Sequence, residues 1–117
     1  MEIIGCPIAS SMGVLGHKWA MVIMRDAVMM QRTRFRDFLQ DNPGLTPRVL
    51  SRRLQDLVEA GYLAKQGTEE RPTYAPTAKG ADLAPVLTAL AAFGLQHHAD
   101  QVFADGQPRP LEAFVTV

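Results

Sequence analysis

The stretch from Leu45 to Leu63 constrains the fold more than any other part of the chain. It reads as a helix with defined ends, one apolar stripe and one cationic face. Thr46 suits the N-cap, where a hydroxyl accepts from an amide that has no partner inside the helix. Pro47 suits the first helical position, where its missing N–H costs nothing. Leu50, Leu54, Leu57 and Val58 recur at helical spacing and predict the buried side. Gly61 predicts the stop. With about 3.6 residues per turn, Arg48, Ser51, Arg52 and Gln55 fall between about 100° and about 200° from Leu50, on the outer face. That set has the chemistry of a major-groove reader: Arg for guanine edges, Gln for adenine, Ser for either base or for phosphate. Taken alone, the same helix fits an amphipathic surface helix with solvated arginines.

Length and composition narrow the setting. A chain of 117 residues is expected to form one domain. We divide it into a working domain over residues 1–104 and a tail over 105–117, where Gly106, Pro108 and Pro110 cluster. An apolar share of 47% can support a core. So small a domain gains from burying surface against a second copy. No apolar run is read as reaching the roughly 20 residues of a membrane span. The start at Met1–Gly5 lacks the pattern of a secretory leader, so a cytoplasmic location is expected. Cys6 is the single cysteine, so no disulfide can form within one chain.

The formal net charge is zero, which at first argues against a nucleic-acid partner. Its distribution argues the other way. Residues 31–53 hold six arginines against Asp37 and Asp41, a net +4. Residues 66–117 hold Arg71, Lys79 and Arg109 against six carboxylates, a net −3. A local basic face can bind phosphates in a neutral protein.

The remaining segments order themselves around that helix. Pro7 to Leu15 reads as a first helix stopped at Gly16, and Lys18 to Val28 as a second. Trp19, Val22, Ile23 and Ala27 mark the second helix's apolar side. Met21, Met24, Met29 and Met30 fill core or dimer-interface gaps, or line an adaptable ligand pocket. Thr33–Phe35 reads as a short strand and Arg36–Gln40 as a third helix, with Phe35, Phe38 and Leu39 inward. Asn42-Pro43-Gly44 is a turn. Tyr62–Gln66 and Thr73–Ala75 read as a hairpin around a polar loop. Thr77 caps a long last helix with Leu83, Val86, Leu87, Leu90 and Phe93 in one apolar stripe. Leu111 to Val117 is apolar enough to dock. A helix–turn–helix followed by a hairpin is the winged-helix arrangement: mostly α, with a small β-hairpin wing.

The residues then resemble a known group. Cys6-Pro7-Ile8, Gly16-His17-Lys18-Trp19, Arg34-Phe35, Phe38 and the run Pro47-Arg48-Val49-Leu50-Ser51-Arg52-Arg53-Leu54 are similar to the HxlR-type winged-helix regulators, relatives of the MarR group. Leu57, Gly61, Leu63, Pro72, Tyr74, Thr77, Lys79-Gly80, Leu83 and Pro85-Val86-Leu87 extend the likeness to about residue 94. Phe93-Gly94 stands where the group often has Trp-Gly. The resemblance implies a homodimer on a pseudo-palindromic operator in double-stranded DNA. It also implies dimerisation through the N-terminal segment and the last long helix. Some members sense electrophiles or oxidants through a Cys near the N-terminus, and Cys6 matches that position.

The expected reading is therefore a dimeric transcriptional regulator, not an enzyme. The recognition helix lies near 46–60 and the wing near 63–76. Thr46, Pro47, Arg48, Ser51, Arg52 and Gln55 belong to the DNA-facing set. Arg53 lies nearer the core edge and is assigned to the DNA backbone. Arg34, Lys65 and Arg71 are candidate phosphate contacts, whereas Glu69 and Glu70 disfavour deep insertion of the wing tip. Cys6 is either a redox-sensing thiol at a helix start or a small structural residue at a dimer contact. His97, His98 and Asp100 have the wrong spacing for a metal site, and no cofactor is expected. No phosphate loop or activated nucleophile is found. The alternative is a winged-helix module for protein–protein contact without DNA.

Overall fold

The computed structural model describes residues 1–112. It divides into two compact units, Met1–Leu83 and the remainder from Ala84. The first contains α1 (Pro7–Leu15), α2 (Ala20–Val28), α3 (Phe35–Asp41), α4 (Pro47–Glu59), β1 (Leu63–Gly67), β2 (Pro72–Pro76) and α5 (Ala78–Ala81). The second contains α6 (Ala84–His97) and α7 (Ala99–Val102).

Local chemistry fixes most element ends in the first unit. Thr46 Oγ1 accepts from the Val49 amide at 3.2 Å and starts α4. Gly61, at φ 85°, turns the chain out of α4 in a conformation that favours glycine. β1 and β2 pair antiparallel, with Leu63 opposite Pro76 and Lys65 opposite Tyr74. Gly67 (φ 80°) closes the hairpin; a Cβ there would lie 2.5 Å from the Arg71 carbonyl oxygen. The core gathers Leu15, Ile23, Met24, Phe38, Leu50, Leu54, Leu57, Leu63 and Tyr74, all buried.

A buried polar cluster fixes the helix–turn–helix. Asp26 is fully buried and Asn42 nearly so. Asn42 Nδ2 donates to Asp26 Oδ2 at 2.7 Å and to the Phe38 carbonyl at 2.8 Å. Arg25 donates to the other Asp26 oxygen from Nε at 2.9 Å and from Nη2 at 2.7 Å. The carboxylate on α2 thus holds the turn between α3 and α4. A buried charge is tolerable because each of its oxygens has a partner.

Several boundaries differ from the sequence reading. The second helix begins at Ala20, because Trp19 adopts φ 79° and cannot continue from Lys18. The strand expected at Thr33–Phe35 shrinks to one bridge, Arg34 to Thr73, and Phe35 already opens α3. The long helix expected from Thr77 is two: Thr77 Oγ1 accepts from the Gly80 amide at 3.1 Å and caps only α5. α6 starts anew at Ala84, with Pro85 in its first turn, where a missing N–H does no harm. By length and hydropathy alone, Ala78–His97 is long enough to span a membrane, at a mean hydropathy of 1.2, which corrects the earlier reading. The turn at Asp82–Leu83 interrupts it. The methionines separate: Met24 is in the core, Met21 half-buried, Met29 and Met30 exposed. Most of the apolar segment expected to dock, from residue 113 onward, lies outside the described residues.

Candidate nucleic-acid interface

α4 presents its outer face as two parallel ridges. Side chains four apart sit above one another on a helix, so Arg48, Arg52 and Asp56 form one ridge. Ser51, Gln55 and Glu59 form the next. Arg48, Ser51, Arg52 and Gln55 are all exposed, while Leu50, Leu54 and Leu57 are buried on the opposite side. Thr46 and Pro47 stand exposed at the N-terminus of the same helix. Helix-terminal amides there carry a partial positive charge that suits a phosphate.

The hairpin brings a second set of groups to the same side. Ser51, Gln55, Val58 and Glu59 from α4 line an open groove of about 340 Å³ together with Lys65 from β1 and Tyr74 from β2. Lys65 is exposed, and Tyr74, its partner across the hairpin, is buried. Arg34 lies against the hairpin, because its backbone bridges to Thr73 and the Tyr74 amide donates to the Thr33 carbonyl at 2.8 Å. Arg71 is exposed at the hairpin loop, its amide held by Thr68 Oγ1 at 3.0 Å.

Two carboxylates on α4 escaped the sequence reading. Asp56 Oδ2 pairs with Arg53 Nη1 at 2.7 Å, and its Oδ1 with Arg52 Nε at 3.3 Å. Gln55 Nε2 donates to Glu59 Oε1 at 3.2 Å. Arg53, assigned from sequence to the DNA backbone, is thus engaged within the protein, and its Nε is buried without a partner. The signal was present: acids three and four residues after an arginine on a helix meet it. The basic segment 31–53 simply ends before them.

The C-terminal end of α4 is fastened by α5. Lys79 Nζ donates to the Ala60 carbonyl at 2.7 Å and lies over the Tyr62 ring at 4.4 Å. A cation at a helix C-terminus is favoured by the dipole. Gly80 packs so closely that a Cβ would sit 2.1 Å from the Tyr62 carbonyl oxygen.

Cys6 is exposed at the N-cap of α1. Sγ makes no capping hydrogen bond, but the nearby amides of Ala9 and then Ile8 pull the thiol pKa below its ordinary value. Elsewhere, the His97 and Phe93 rings meet at a 45° tilt with centroids 4.7 Å apart. Among the described residues, no group of three or more His, Cys, Asp or Glu could hold a metal ion.

Residues 14–102 match the model of the HxlR-like helix-turn-helix family. The chain belongs to that family. Relatives in it are transcriptional regulators rather than enzymes. An uncharacterised HTH-type transcriptional regulator of Synechocystis is 32% identical over 92 residues, covering 76% of this chain and 67% of that protein. The crystal structure of PA1607, an inferred transcription factor, superimposes at a TM-score of 0.71 with 37% identity. That match covers 77% of this chain and 63% of the other, so the chain spans about two thirds of the length of these relatives. The reduced form of the regulator YodB from Bacillus subtilis matches at a TM-score of 0.66 and 26% identity, over 80% of this chain and 95% of that one. The winged helix-turn-helix read from the sequence is therefore the fold of an HxlR-like regulator.

Proposed function

We propose that this HxlR-like protein regulates transcription in the cytoplasm as a homodimer bound to a pseudo-palindromic operator in double-stranded DNA. Residues 1–104 supply binding and dimerisation, with 105–117 as a tail. The observation that carries the reading is the exposed quartet Arg48, Ser51, Arg52 and Gln55 on α4, of which Ser51 and Gln55 line a groove that Lys65 shares. The first half of the helix face is cationic and polar, whereas a protein-docking face would be expected to carry apolar or acidic groups there. Arg48 has no ion pair among the described residues, so its full charge is free for a phosphate or a guanine edge. Arg34, Lys65 and Arg71 extend the contact to phosphates beside the groove.

An effector enters through Cys6. The thiol is exposed and its pKa is lowered, two properties that favour attack on electrophiles or oxidants. The similar regulator YodB has been solved in a reduced form, which supports this reading of Cys6.

A salt titration tests the DNA reading. Each phosphate neutralised releases counterions, so log Kd should change linearly with log salt at a slope of about 0.9 per contact. Steep weakening between low and moderate salt is expected. A flat titration would overturn DNA binding as the function of this face.

A further inference from the structure

The acidic end of the reading helix has a role of its own. Asp56 is one turn beyond Arg52 on the same ridge, and its side chain is only 18% exposed while that of Arg52 is 70% exposed. One Asp56 oxygen forms an ion pair with Arg52 Nε at 3.3 Å, and the other accepts a hydrogen bond from Arg53 Nη1 at 2.7 Å. A guanidinium paired with the acid through Nε leaves its two terminal nitrogens without an ion-pair partner among the described residues. Those two nitrogens are the pair that a guanine edge accepts. Held this way, Arg52 loses less rotamer freedom when it binds. Arg53 is paired with the same carboxylate at 2.7 Å. Glu59 repeats the pattern on the neighbouring ridge, where it holds the amide nitrogen of Gln55.

From this arrangement we infer that Asp56 is a specificity-determining positioning residue, aiming Arg52 at a base edge and withholding Arg53 from the backbone. The inference rests on α4 being the DNA-reading helix. Asp56 also offsets the repulsion between Arg48 and Arg52 on one ridge. Its negative charge weakens sequence-independent attraction to phosphates, so it raises the ratio of specific to non-specific binding from both sides.

The test compares full-length wild type with Asp56→Asn on two probes. One is a duplex selected by the wild-type protein from a random-sequence pool; the other is a scrambled duplex of the same composition. Asp56→Asn should bind the scrambled duplex more tightly and with a steeper salt dependence, because Arg53 is released. Its preference for the selected duplex should fall by about tenfold, the scale of one mismatched base pair. In an Arg52→Ala background the same change should lower the preference by much less than in wild type, since there is no arginine left to aim and only the release of Arg53 remains. A purely structural role would weaken both probes alike and leave the ratio intact. If Asn costs the fold, Asp56→Gln repeats the measurement with a better helix former. A wild type that selects a sequence, with an Asp56 variant of undiminished preference, overturns the role of Asp56 alone. A wild type that selects nothing overturns the DNA-reading assignment of α4 and this inference with it.

Discussion

A single guanidinium on α4 separates folding from function. Arg52 is exposed, and its only described ion pair is the one to Asp56 at 3.3 Å. An exposed pair four apart contributes about 0.3–0.5 kcal/mol, so Arg52→Ala should melt within a few degrees of wild type. Binding to a selected duplex should weaken by about 1–3 kcal/mol, the worth of a bidentate base contact. Titration of binding beside a melting curve checks both halves; unchanged affinity would remove Arg52 from the interface. Cys6 makes the complementary case, a residue whose chemistry exceeds its packing. Its thiol is lowered by the amides of Ala9 and Ile8, so the thiolate forms at lower pH than for an ordinary cysteine. Alkylation rate against pH should show a midpoint below the usual thiol range. Oxidants should alter DNA binding of wild type, while Cys6→Ser should not respond. A midpoint at or above the ordinary value would leave Cys6 without a sensing role.

At the scale of elements, the reading helix is held from both ends and from beneath. Thr46 caps its start, Lys79 donates to the Ala60 carbonyl at its end, and the Asp26–Asn42 cluster fixes the turn before it. Gly80 is the tightest of these joints. Its substitution by Ala puts a methyl 2.1 Å from the Tyr62 carbonyl oxygen, and backbone must move. Overpacking of that kind costs about 1–3 kcal/mol. Gly80→Ala should therefore lower the midpoint of denaturant unfolding, and should tilt α4 against the hairpin enough to weaken DNA binding as well. A variant as stable as wild type would show that α5 does not brace α4.

For the whole molecule, the open question is what covers its apolar surface. Ile3, Ile4, Ile8 and Met12 are exposed in the first unit, and Val86, Leu90 and Phe93 in the second. Exposed aliphatic and aromatic side chains on each unit are the kind of surface that association covers. Sedimentation should give a dimer at micromolar concentration, and Leu90→Asp should shift it toward monomer without lowering helix content. Dimerisation would present two α4 helices to half-sites about 34–36 Å apart, one turn of DNA. The monomeric variant should lose operator affinity far more than affinity for scrambled duplex. A stable monomer in wild type, with and without DNA, would overturn the two-fold arrangement.

Local chemistry was enough to determine α1, α4, the hairpin and the turn at Asn42–Gly44. Caps, prolines, glycines and hydrophobic period act within a few residues, and there the sequence speaks for itself. The outer face of α4 was legible for the same reason: helical geometry alone sorts Arg48, Ser51, Arg52 and Gln55 from Leu50, Leu54 and Leu57. What tertiary structure decided was everything that depends on a distant partner. The reduction of Thr33–Phe35 to one bridge is set by the pairing of Arg34 with Thr73, far along the chain. The burial of Asp26 against Asn42 joins groups sixteen residues apart, which no periodicity announces. The break between α5 and α6 could have been suspected from Pro85, but Thr77 alone suggested one long helix. The groove shared by Ser51, Gln55, Lys65 and Tyr74 exists only because the hairpin folds back beside α4. Sequence listed its side chains; only the fold brought them within reach of one ligand.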